Sequence, residues 1–460
     1  MIRFEHVSFK YEGQESGKIT DLDLNIKKGE CILLTGASGC GKTTVTRLIN
    51  GLIPEFFAGE LKGKIFIDGK DIEDCPLYEI ADKVGSVFQN PRTQFFNTDT
   101  DGEIAFGLEN RGMPIEEMQS RVQNTAQTLN IEKLLGRSIF SLSGGEKQKI
   151  AFASVCAMHP DIFLLDEPSS NLDLESIEDL RKHIALLKEQ GKTILIAEHR
   201  LYYLSDLADR IFYFSEGKMK YSWTNNAFKA LSNEERESLG LRTLTYKKPE
   251  YKGANHIKQS VKLKVRNLAI GYNKKSILSH LNFEARAGEI IAIVGKNGVG
   301  KSTFSRTLCG LLKPIEGEIL WVEKKLTEKQ RLKKTYMVMQ DVNYQLFSDS
   351  VLQECSFGIY HPDTVKVEET LKQLGLSPYK EKHPNTLSGG QKQRLAVAVS
   401  MICKKEILLF DEPTSGLDYK SMCAVADIMK QLAQLGKVVF VVTHDAEFID
   451  KACNTQMRLG

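Results

Sequence analysis

Apolar and polar residues follow the same order in the two halves of the chain. Each half opens with alternating segments, VSFKY and DLDLNIKKG within 7–29 and LKVRNLAIGY and LNFEARAG within 263–288. Alternation predicts strands with one buried face, and the glycines that close the second segments, Gly29 and Gly288, predict turns. We therefore expect an antiparallel sheet at the start of each half.

Uniformly apolar runs come next in both halves. They are CILLTG at 31–36, IFLL at 162–165, TILIA at 193–197, IIAIVG at 290–295, ILLF at 407–410 and VVFVV at 438–442. Such runs are typical of strands buried on both faces of a parallel sheet. Helical stretches such as 174–190 and 419–435 lie between them, so strands alternate with helices. This order favours an α/β fold in each half.

Two short motifs recur with these elements. Residues 36–43 read GASGCGKT and residues 295–302 read GKNGVGKS, and both fit G-x-x-x-x-G-K-[ST]. LSGGE begins at Leu142 and LSGGQ begins 245 residues later, at Leu387. A gapless repeat with the same residue types at matching places indicates an ATP-binding protein with two ATP sites.

The two halves also differ in length. From Gly36 to Gln89 the chain advances 53 residues, whereas from Gly295 to Gln340 it advances 45. The extra residues fall around PEFFAGELKG (54–63), for which we expect a longer surface loop. Residues 221–260 match nothing in the second half, and we interpret them as a peripheral helix followed by a linker.

Length and composition limit the number of domains and the classes of partner. A chain of 460 residues is too long for one ordinary core, and the repeat predicts two nucleotide-binding domains, 1–220 and 261–460. A net charge of +3 gives no support for a nucleic-acid partner. No apolar run reaches the length of about 18 residues that a membrane span needs, so we expect other chains to make any membrane crossing. Nine cysteines without a C-x-x-C pair indicate reduced thiols.

The glycine-rich loops are predicted to hold the ATP phosphates. Glycines let backbone amides converge on phosphate oxygens, and the following helix directs its positive N-terminus at the anion. Lys42 and Lys301 would reach the β- and γ-phosphates, and Thr43 and Ser302 would bind Mg²⁺. The candidate nucleotide-binding residues of the loops are Gly36, Ser38, Gly39, Gly41, Lys42, Thr43, Thr44, Gly295, Asn297, Gly298, Gly300, Lys301, Ser302 and Thr303.

Two carboxylates close an apolar strand in each half, Asp166–Glu167 and Asp411–Glu412. The first carboxylate of each pair is a candidate Mg²⁺ ligand, and the second is the candidate general base that orients and deprotonates the attacking water. A solvated strand end is the plainer interpretation. The position after buried runs and downstream of a phosphate loop favours the catalytic one.

Repeated polar residues at other strand ends add candidates. Gln89 and Gln340 are predicted to touch Mg²⁺ or the attacking water. His199 and His444 each follow their Asp by 33 residues and are predicted to contact the γ-phosphate. Tyr11 and Tyr272 are candidates for stacking on adenine, with strand packing as the rival interpretation.

Ser-Gly-Gly precedes a helical stretch in each half and offers a second anion-binding helix start. These candidate phosphate-binding residues are Ser143, Gly144, Gly145, Ser388, Gly389 and Gly390. One domain does not need two such starts. Two domains that face each other head-to-tail do need them, because each would complete the site of the other. We therefore expect the two halves to pair within one chain.

The whole set resembles the ATP-binding-cassette (ABC) ATPase family outside residues 221–260. The resemblance implies two P-loop NTPase cassettes in tandem, each with an antiparallel β subdomain and a helical subdomain. It also implies ATP and Mg²⁺ as cofactors and hydrolysis that drives attached membrane helices. Both sites retain every motif residue, and the one departure is Glu146 where glutamine is commoner.

The segments after each glutamine, which we call the glutamine segments, are FQNPRTQFFNTDTDGEIAFG (88–107) and MQDVNYQLFSDSVLQECSFG (339–358). They resemble the cobalt and energy-coupling-factor (ECF) importers in their fused tandem form. The resemblance implies a transmembrane coupling protein and a small membrane substrate-binding subunit as partners. It places the chain peripherally on the cytoplasmic face of the cell membrane and implies a vitamin, metal ion or similar micronutrient as cargo. Asp341, Glu103 and Glu354 are acidic candidates for the membrane-protein contact.

Two other functions remain open at this point. A soluble tandem ABC ATPase that acts on ribosomes has the same domain count, but such proteins usually carry a long charged helical arm between domains. The ATPase of a sugar importer is the other alternative, although one of its sites is commonly degenerate and neither is here.

Overall fold

The computed structural model of the protein describes residues 1–13, 17–170, 172–249, 259–359 and 361–460. It divides into two compact units, Met1–Tyr246 and Lys247–Gly460, which are described separately below. Part of the expected linker, residues 250–258, lies outside the described residues. Within the described ranges, none of the helices combines the length and the apolar character that spanning a membrane requires.

The first unit contains ten strands and nine α-helices in its described residues. The strands are β1 Ile2–Tyr11, β2 Ile19–Ile26, β3 Cys31–Gly36, β4 Gly59–Ile67, β5 Lys70–Asp71, β6 Val84–Val87, β7 Ile162–Asp166, β8 Thr193–Ala197, β9 Arg210–Ser215 and β10 Lys218–Thr224. The helices are α1 Lys42–Ile49, α2 Leu52–Glu55, α3 Leu77–Lys83, α4 Thr100–Asn110, α5 Ile115–Thr128, α6 Gly144–Ala157, α7 Leu174–Glu189, α8 Asn225–Lys229 and α9 Asn233–Ser238.

The second unit repeats this order. Its strands are β11 Val261–Tyr272, β12 Lys275–Arg286, β13 Ile290–Val294, β14 Glu316–Trp321, β15 Lys324–Lys325, β16 Thr335–Val338, β17 Ile407–Asp411, β18 Val438–Val442 and β19 Thr455–Arg458. Its α-helices are α10 Lys301–Cys309, α11 Glu328–Lys334, α12 Val351–Ser356, α13 Thr364–Gln373, α14 Gly389–Ile402, α15 Tyr419–Gln434 and α16 Ala446–Ala452.

Each unit has one antiparallel sheet and one mostly parallel sheet. The antiparallel sheets run β2-β1-β4-β5 and β12-β11-β14-β15. The other sheets run β10-β9-β3-β8-β7-β6 and β16-β17-β18-β13-β19, and within them only the pairing of β10 with β9 is antiparallel. The expected α/β fold with an antiparallel subdomain in each half is confirmed, and all six apolar runs lie in strands of the two parallel sheets.

The apolar runs are buried because both faces of the parallel sheet are covered. Along β3, Cys31 and Leu33 join the core beneath the helical subdomain, whereas Ile32 and Leu34 join the core beneath the antiparallel sheet. Strand β13 divides its residues between two cores in the same way. A strand with two buried faces has no polar alternation, which is what the sequence displays.

The expectation of a surface loop at 54–63 is wrong for its second part. Strand β4 begins at Gly59 and pairs with β1, so that Gly59 lies opposite Tyr11 and Glu60 opposite Lys10. The extra residues therefore lengthen the antiparallel sheet of the first unit. The polar residues of this stretch misled the prediction because the strand has one face in solvent.

Candidate functional site

The first phosphate loop joins β3 to α1 and surrounds the ammonium of its own lysine. Lys42 Nζ donates to the carbonyl oxygens of Gly36 and Ala37, each at 3.1 Å, and lies 3.3 Å from Nε2 of His199. The residue is buried, at 4% exposure. The loop therefore fixes the position of a positive charge at the N-terminus of α1, where an anion is favoured.

The glycines of this loop leave no room for side chains. A Cβ on Gly36, whose φ is +142°, would lie 2.1 Å from the carbonyl oxygen of Phe214. A Cβ on Gly41, which precedes α1 with φ of +111°, would lie 2.4 Å from Ile19 Cδ1. Both neighbours belong to the protein itself, Phe214 on β9 and Ile19 on β2. Tight packing against these strands therefore fixes the path of the loop that leads into α1.

Two oxygen atoms that could bind a metal ion lie at the start of α1 and the end of β7. Thr43 Oγ1 donates to Asp166 Oδ1 at 3.1 Å, which joins the start of α1 to the end of β7. Burial, and after it the neighbouring Glu167, raises the pKa of Asp166 to about 7. Hydroxyl and carboxylate oxygens are the ligands that Mg²⁺ takes in proteins, so this pair fits Mg²⁺. Gln89 lines the same cavity as Thr43 and Asp166.

Glu167 lies between the glutamine and the histidine predicted for the same site. Its Oε2 accepts a hydrogen bond of 2.6 Å from Gln89 Nε2, and its Oε1 lies 3.5 Å from His199 Nε2. Its φ is +45°, a left-handed conformation that residues other than glycine rarely adopt. The structure thus brings together four side chains that the sequence predicts for one site: Lys42, Gln89, Glu167 and His199.

The second unit has the same arrangement. Lys301 Nζ donates to the carbonyl oxygens of Gly295 (2.7 Å) and Lys296 (3.0 Å) and lies 3.0 Å from His444 Nε2. It also donates to the side chain of Asn297 at 3.4 Å.

The carboxylates of the second unit also repeat those of the first. Glu412 Oε1 lies 3.8 Å from His444 Nε2, and the φ of Glu412 is +48°. Burial raises the pKa of Asp411 to about 6, although the hydrogen bond from Ser302 and the charge of Lys301 act in the opposite direction. The two units thus hold equivalent sets of lysine, histidine and acidic side chains.

The predicted signature serines begin helices in both units. Ser143 caps α6 by accepting from the amide of Glu146 at 3.3 Å, while the Glu146 carboxylate accepts from the amide of Ser143 at 2.8 Å. Ser388 and Gln391 form the same capping box on α14. Burial opposes ionisation of Glu146, but hydrogen bonds from Ser143 and Arg137 hold its pKa below the ordinary value. The departure at Glu146 therefore keeps the cap.

The two tyrosines differ in their packing. Tyr11 is half-buried, with its ring edge-on to Phe9 and Phe57 at 4.8 and 6.3 Å between centroids. Its hydroxyl accepts from Arg47 at 3.2 Å. Tyr272 is 43% exposed. The adenine-stacking role of both residues stays a prediction.

Two of the three acidic candidates for the membrane-protein contact are wrong. Glu103 is 2% exposed and accepts from the amides of Phe96 and Asn97 at 3.0 and 2.8 Å. Glu354 is 3% exposed and holds the backbone of the second glutamine segment in the same way. These carboxylates shape the glutamine segments from inside and are not available to a partner. Asp341 caps the turn that begins the second glutamine segment.

One buried carboxylate in each unit was missed from the sequence. Glu198 is 2% exposed and accepts from Ser169 Oγ at 2.7 Å, from Tyr203 Oη at 2.9 Å and from the amide of His199 at 2.7 Å. In the second unit, Asp445 follows His444 and accepts from Thr414 Oγ1 at 2.8 Å. Each acid fixes the turn that carries the histidine. The signal was an acidic residue adjacent to each histidine, before it in one half and after it in the other.

Comparisons with known proteins agree with this geometry. The family described as "ABC transporter" matches residues 19–170 and 278–415. A Treponema denticola protein named "Putative ABC transporter ATP-binding protein" is 50% identical over 467 residues, covering 100% of this chain and 95% of that protein. The Bacillus subtilis protein named "Putative HMP/thiamine import ATP-binding protein YkoD" is 33% identical, covering 100% of this chain and 90% of that protein.

The fold of the whole chain is also similar to solved structures. The structure named "RNase-L Inhibitor" matches with a TM-score of 0.68 and 23% identity, covering 99% of this chain and 88% of that one. At this identity the likeness concerns the fold alone. The sequence relatives carry the assignment, and the chain belongs to the ABC transporter family as an ATP-binding protein with two ABC ATPase domains in tandem.

Proposed function

We propose that this chain is the ATP-hydrolysing motor subunit of an ECF-type importer for a vitamin, a metal ion or a similar micronutrient. The observation that carries the proposal is the presence of an equivalent lysine, histidine and glutamate set in each unit. A chain in which both sites hydrolyse ATP suits a motor that drives a membrane partner.

The proposed chemistry assigns one task to each side chain. Lys42 and Lys301 bind the terminal phosphates, and His199 and His444 hold the γ-phosphate from the other side. Glu167 and Glu412 act as general bases that take a proton from the attacking water. Mg²⁺, when bound, neutralises charge that develops on the phosphate oxygens.

The ligands for Mg²⁺ would come from residues that follow or end neighbouring strands of the parallel sheet. Thr43 and Asp166, with Gln89, would hold it in the first unit, and the second unit would use Ser302, Asp411 and Gln340. At the starts of α6 and α14, Ser-Gly-Gly offers backbone amides. The hydroxyl of the capping serine accepts one hydrogen bond from its own helix and can still donate its proton to a phosphate oxygen. We propose that each binds the γ-phosphate held by the other unit when the two halves pair head-to-tail.

The glutamine segments are the proposed contact with membrane partners. Phe96 stacks on Phe106 with centroids 4.8 Å apart and stays 75% exposed. The second unit leaves Phe347 and Phe357 70% and 67% exposed. Exposed aromatic residues beside a catalytic glutamine suit a surface that transmits nucleotide state to another protein. The proposed partners are a transmembrane coupling protein and a small membrane substrate-binding subunit, which would hold the chain at the cytoplasmic face of the membrane.

The cargo is proposed only as a class. The Bacillus subtilis relative is named for import of HMP and thiamine, which agrees with a vitamin or vitamin precursor. Selection of the cargo would belong to the membrane subunit, so the pocket that recognises it would lie in another chain.

The test is to purify the tagged chain from native membranes in mild detergent and to identify the proteins that accompany it by mass spectrometry. Two hydrophobic membrane proteins in constant ratio to the chain would support the importer. Recovery with ribosomal proteins in the absence of membrane proteins would refute transport and leave a soluble ATPase. A periplasmic sugar-binding protein with two larger permeases would indicate the sugar importer instead.

A further inference from the structure

Two cations without acidic partners lie together in the first glutamine segment and the helix behind it. Arg92 is exposed in the turn 91–93, against which α6 packs. Lys147 lies on α6 and is only 8% exposed. Among the described residues, no carboxylate lies within ion-pair distance of either side chain, and neither cation donates a side-chain hydrogen bond. The charge of Arg92, after burial, lowers the pKa of Lys147.

The second unit shows how the fold satisfies the same lysine. Lys392 occupies on α14 the place that Lys147 has on α6, and its Nζ donates to Asn343 Oδ1 at 2.7 Å. Burial lowers the pKa of Lys392, and the charge of Asp341 acts in the opposite direction. In the first unit, the positions of Asn343 and Asp341 are taken by Arg92 and Asn90. The first unit thus has a cation where the second unit has the hydrogen-bond acceptor, and a neutral amide where the second unit has a carboxylate.

This replacement is unfavourable unless something outside the first unit balances it. A lysine removed from water is normally paired or hydrogen-bonded, and a second cation beside it adds repulsion. The unpaired Lys147 Nζ is not one of the fully enclosed unpaired atoms among the described residues, so it keeps some exposure to solvent. The pair therefore has the charge, the partial desolvation and the access that a carboxylate needs for a strong ion pair.

We propose that Arg92 and Lys147 receive an aspartate or glutamate carboxylate from the membrane-protein partner, and that an apolar side chain next to it packs on the Phe96–Phe106 stack. The inference rests on the proposed function, since it presumes a membrane partner. The second unit offers exposed aromatics but pairs its own lysine internally. The partner would thus present an acidic contact to the first unit and not to the second, which fixes the orientation of a tandem chain on an asymmetric partner.

The first test uses a carbodiimide, which joins a lysine amine to a carboxylate in direct contact by forming an amide and taking up the water lost. The complex of the full chain and its membrane proteins, purified from native membranes, is treated and digested. The expected result is a cross-link from Lys147 to an aspartate or glutamate of the larger membrane protein. Cross-links from other lysines of this chain to that protein, without one at Lys147, would overturn the proposal.

The second test compares Arg92→Glu with Lys133→Glu, a matched control that reverses the charge of another exposed residue of the first unit. Binding of a fluorescent ATP analogue by both variants verifies folding. Arg92→Glu should recover at least about tenfold less membrane protein than the unaltered chain, whereas Lys133→Glu should change recovery by less than about twofold. Reversing the charge of the cross-linked acidic residue should restore recovery with Arg92→Glu.

The two proposals fail in different ways. Equal recovery of membrane proteins with both variants would overturn the carboxylate contact and leave the importer intact. Recovery of no membrane protein by the unaltered chain would overturn the importer, and the carboxylate contact would fall with it.

Discussion

Replacing both proposed general bases with glutamine is the most informative change to the catalytic sets. In the first unit, Glu167 has one carboxylate oxygen 2.6 Å from Gln89 Nε2 and the other 3.5 Å from His199 Nε2. A glutamine has nearly the same shape and keeps an oxygen for the hydrogen bond from Gln89. It cannot take a proton from water. Glu167→Gln with Glu412→Gln should therefore preserve nucleotide binding and remove the proton acceptor from both sites.

The expected magnitude follows from the role of a general base. Loss of a positioned base lowers the rate by about 10²–10⁴-fold, which corresponds to about 2.7–5.4 kcal/mol in activation free energy. Because the sets of the two units have equivalent geometry, each single variant should keep a measurable fraction of the rate if the sites turn over independently. It should lose nearly all of it if one site cannot proceed without the other.

The assay is phosphate release under saturating MgATP, combined with the dissociation constant of a fluorescent ATP analogue. Glu189→Gln is the matched control, because it makes the same chemical change at an exposed residue near the end of α7. Turnover of the double variant within about tenfold of the unaltered chain would show that Glu167 and Glu412 are not the general bases, because losing a positioned base costs at least about 10²-fold.

Three further results are expected, all tested with substitutions in the first unit. Thr43→Val removes the hydroxyl that donates to Asp166 at 3.1 Å, so phosphate release should fall more than about tenfold. Thr43→Ser keeps the hydroxyl and should retain the rate. Equal rates in the two variants would contradict a metal-ligand role. In nucleotide-free protein with EDTA, burial raises the pKa of Asp166 from 3.8 to about 7 and that of Asp411 to about 6. The folded state then binds protons that the unfolded state has lost, so the free energy of unfolding should decrease as pH rises from 3.8 towards 7. Asp166→Asn should flatten this decrease in urea titrations, and an unchanged slope would contradict the shift. Glu198→Ala leaves the Tyr203 hydroxyl and other buried donors unpaired, so the free energy of unfolding should drop by about 1–3 kcal/mol per donor. Glu198→Gln, which keeps one acceptor oxygen, should lose less, and equal losses would contradict the assignment.

The parallel sheets, and the grouping of the candidate site residues, could be predicted because their signals are local and repeated. A strand buried on both faces must be apolar at every position, so runs such as IFLL and ILLF mark it directly. The carboxyl ends of parallel strands meet at one edge of a sheet. Residues far apart in sequence, such as Gln89 and Glu167, could therefore be assigned to one site before any distance was known.

The errors concern acidic residues whose burial depends on contacts that the sequence does not reveal. Glu103 and Glu354 were acidic candidates for the partner contact because they lie in the glutamine segments, and acidic side chains usually remain in solvent. Each is instead buried under two backbone amides of its own glutamine segment, a contact that sequence spacing does not reveal. The roles of Glu198 and Asp445 were missed for the same reason, since their hydroxyl partners Ser169 and Thr414 come from a different loop.

The proposed motor depends on the two halves of one chain completing each other's ATP sites. Native mass spectrometry of the Glu167→Gln, Glu412→Gln variant with MgATP counts the nucleotides held by each chain. We expect a single 51.7 kDa chain with two trapped ATP molecules, and loss of both when Ser143 and Ser388 are replaced by arginine. One ATP per chain, or nucleotide retained only in assemblies of two chains, would contradict it.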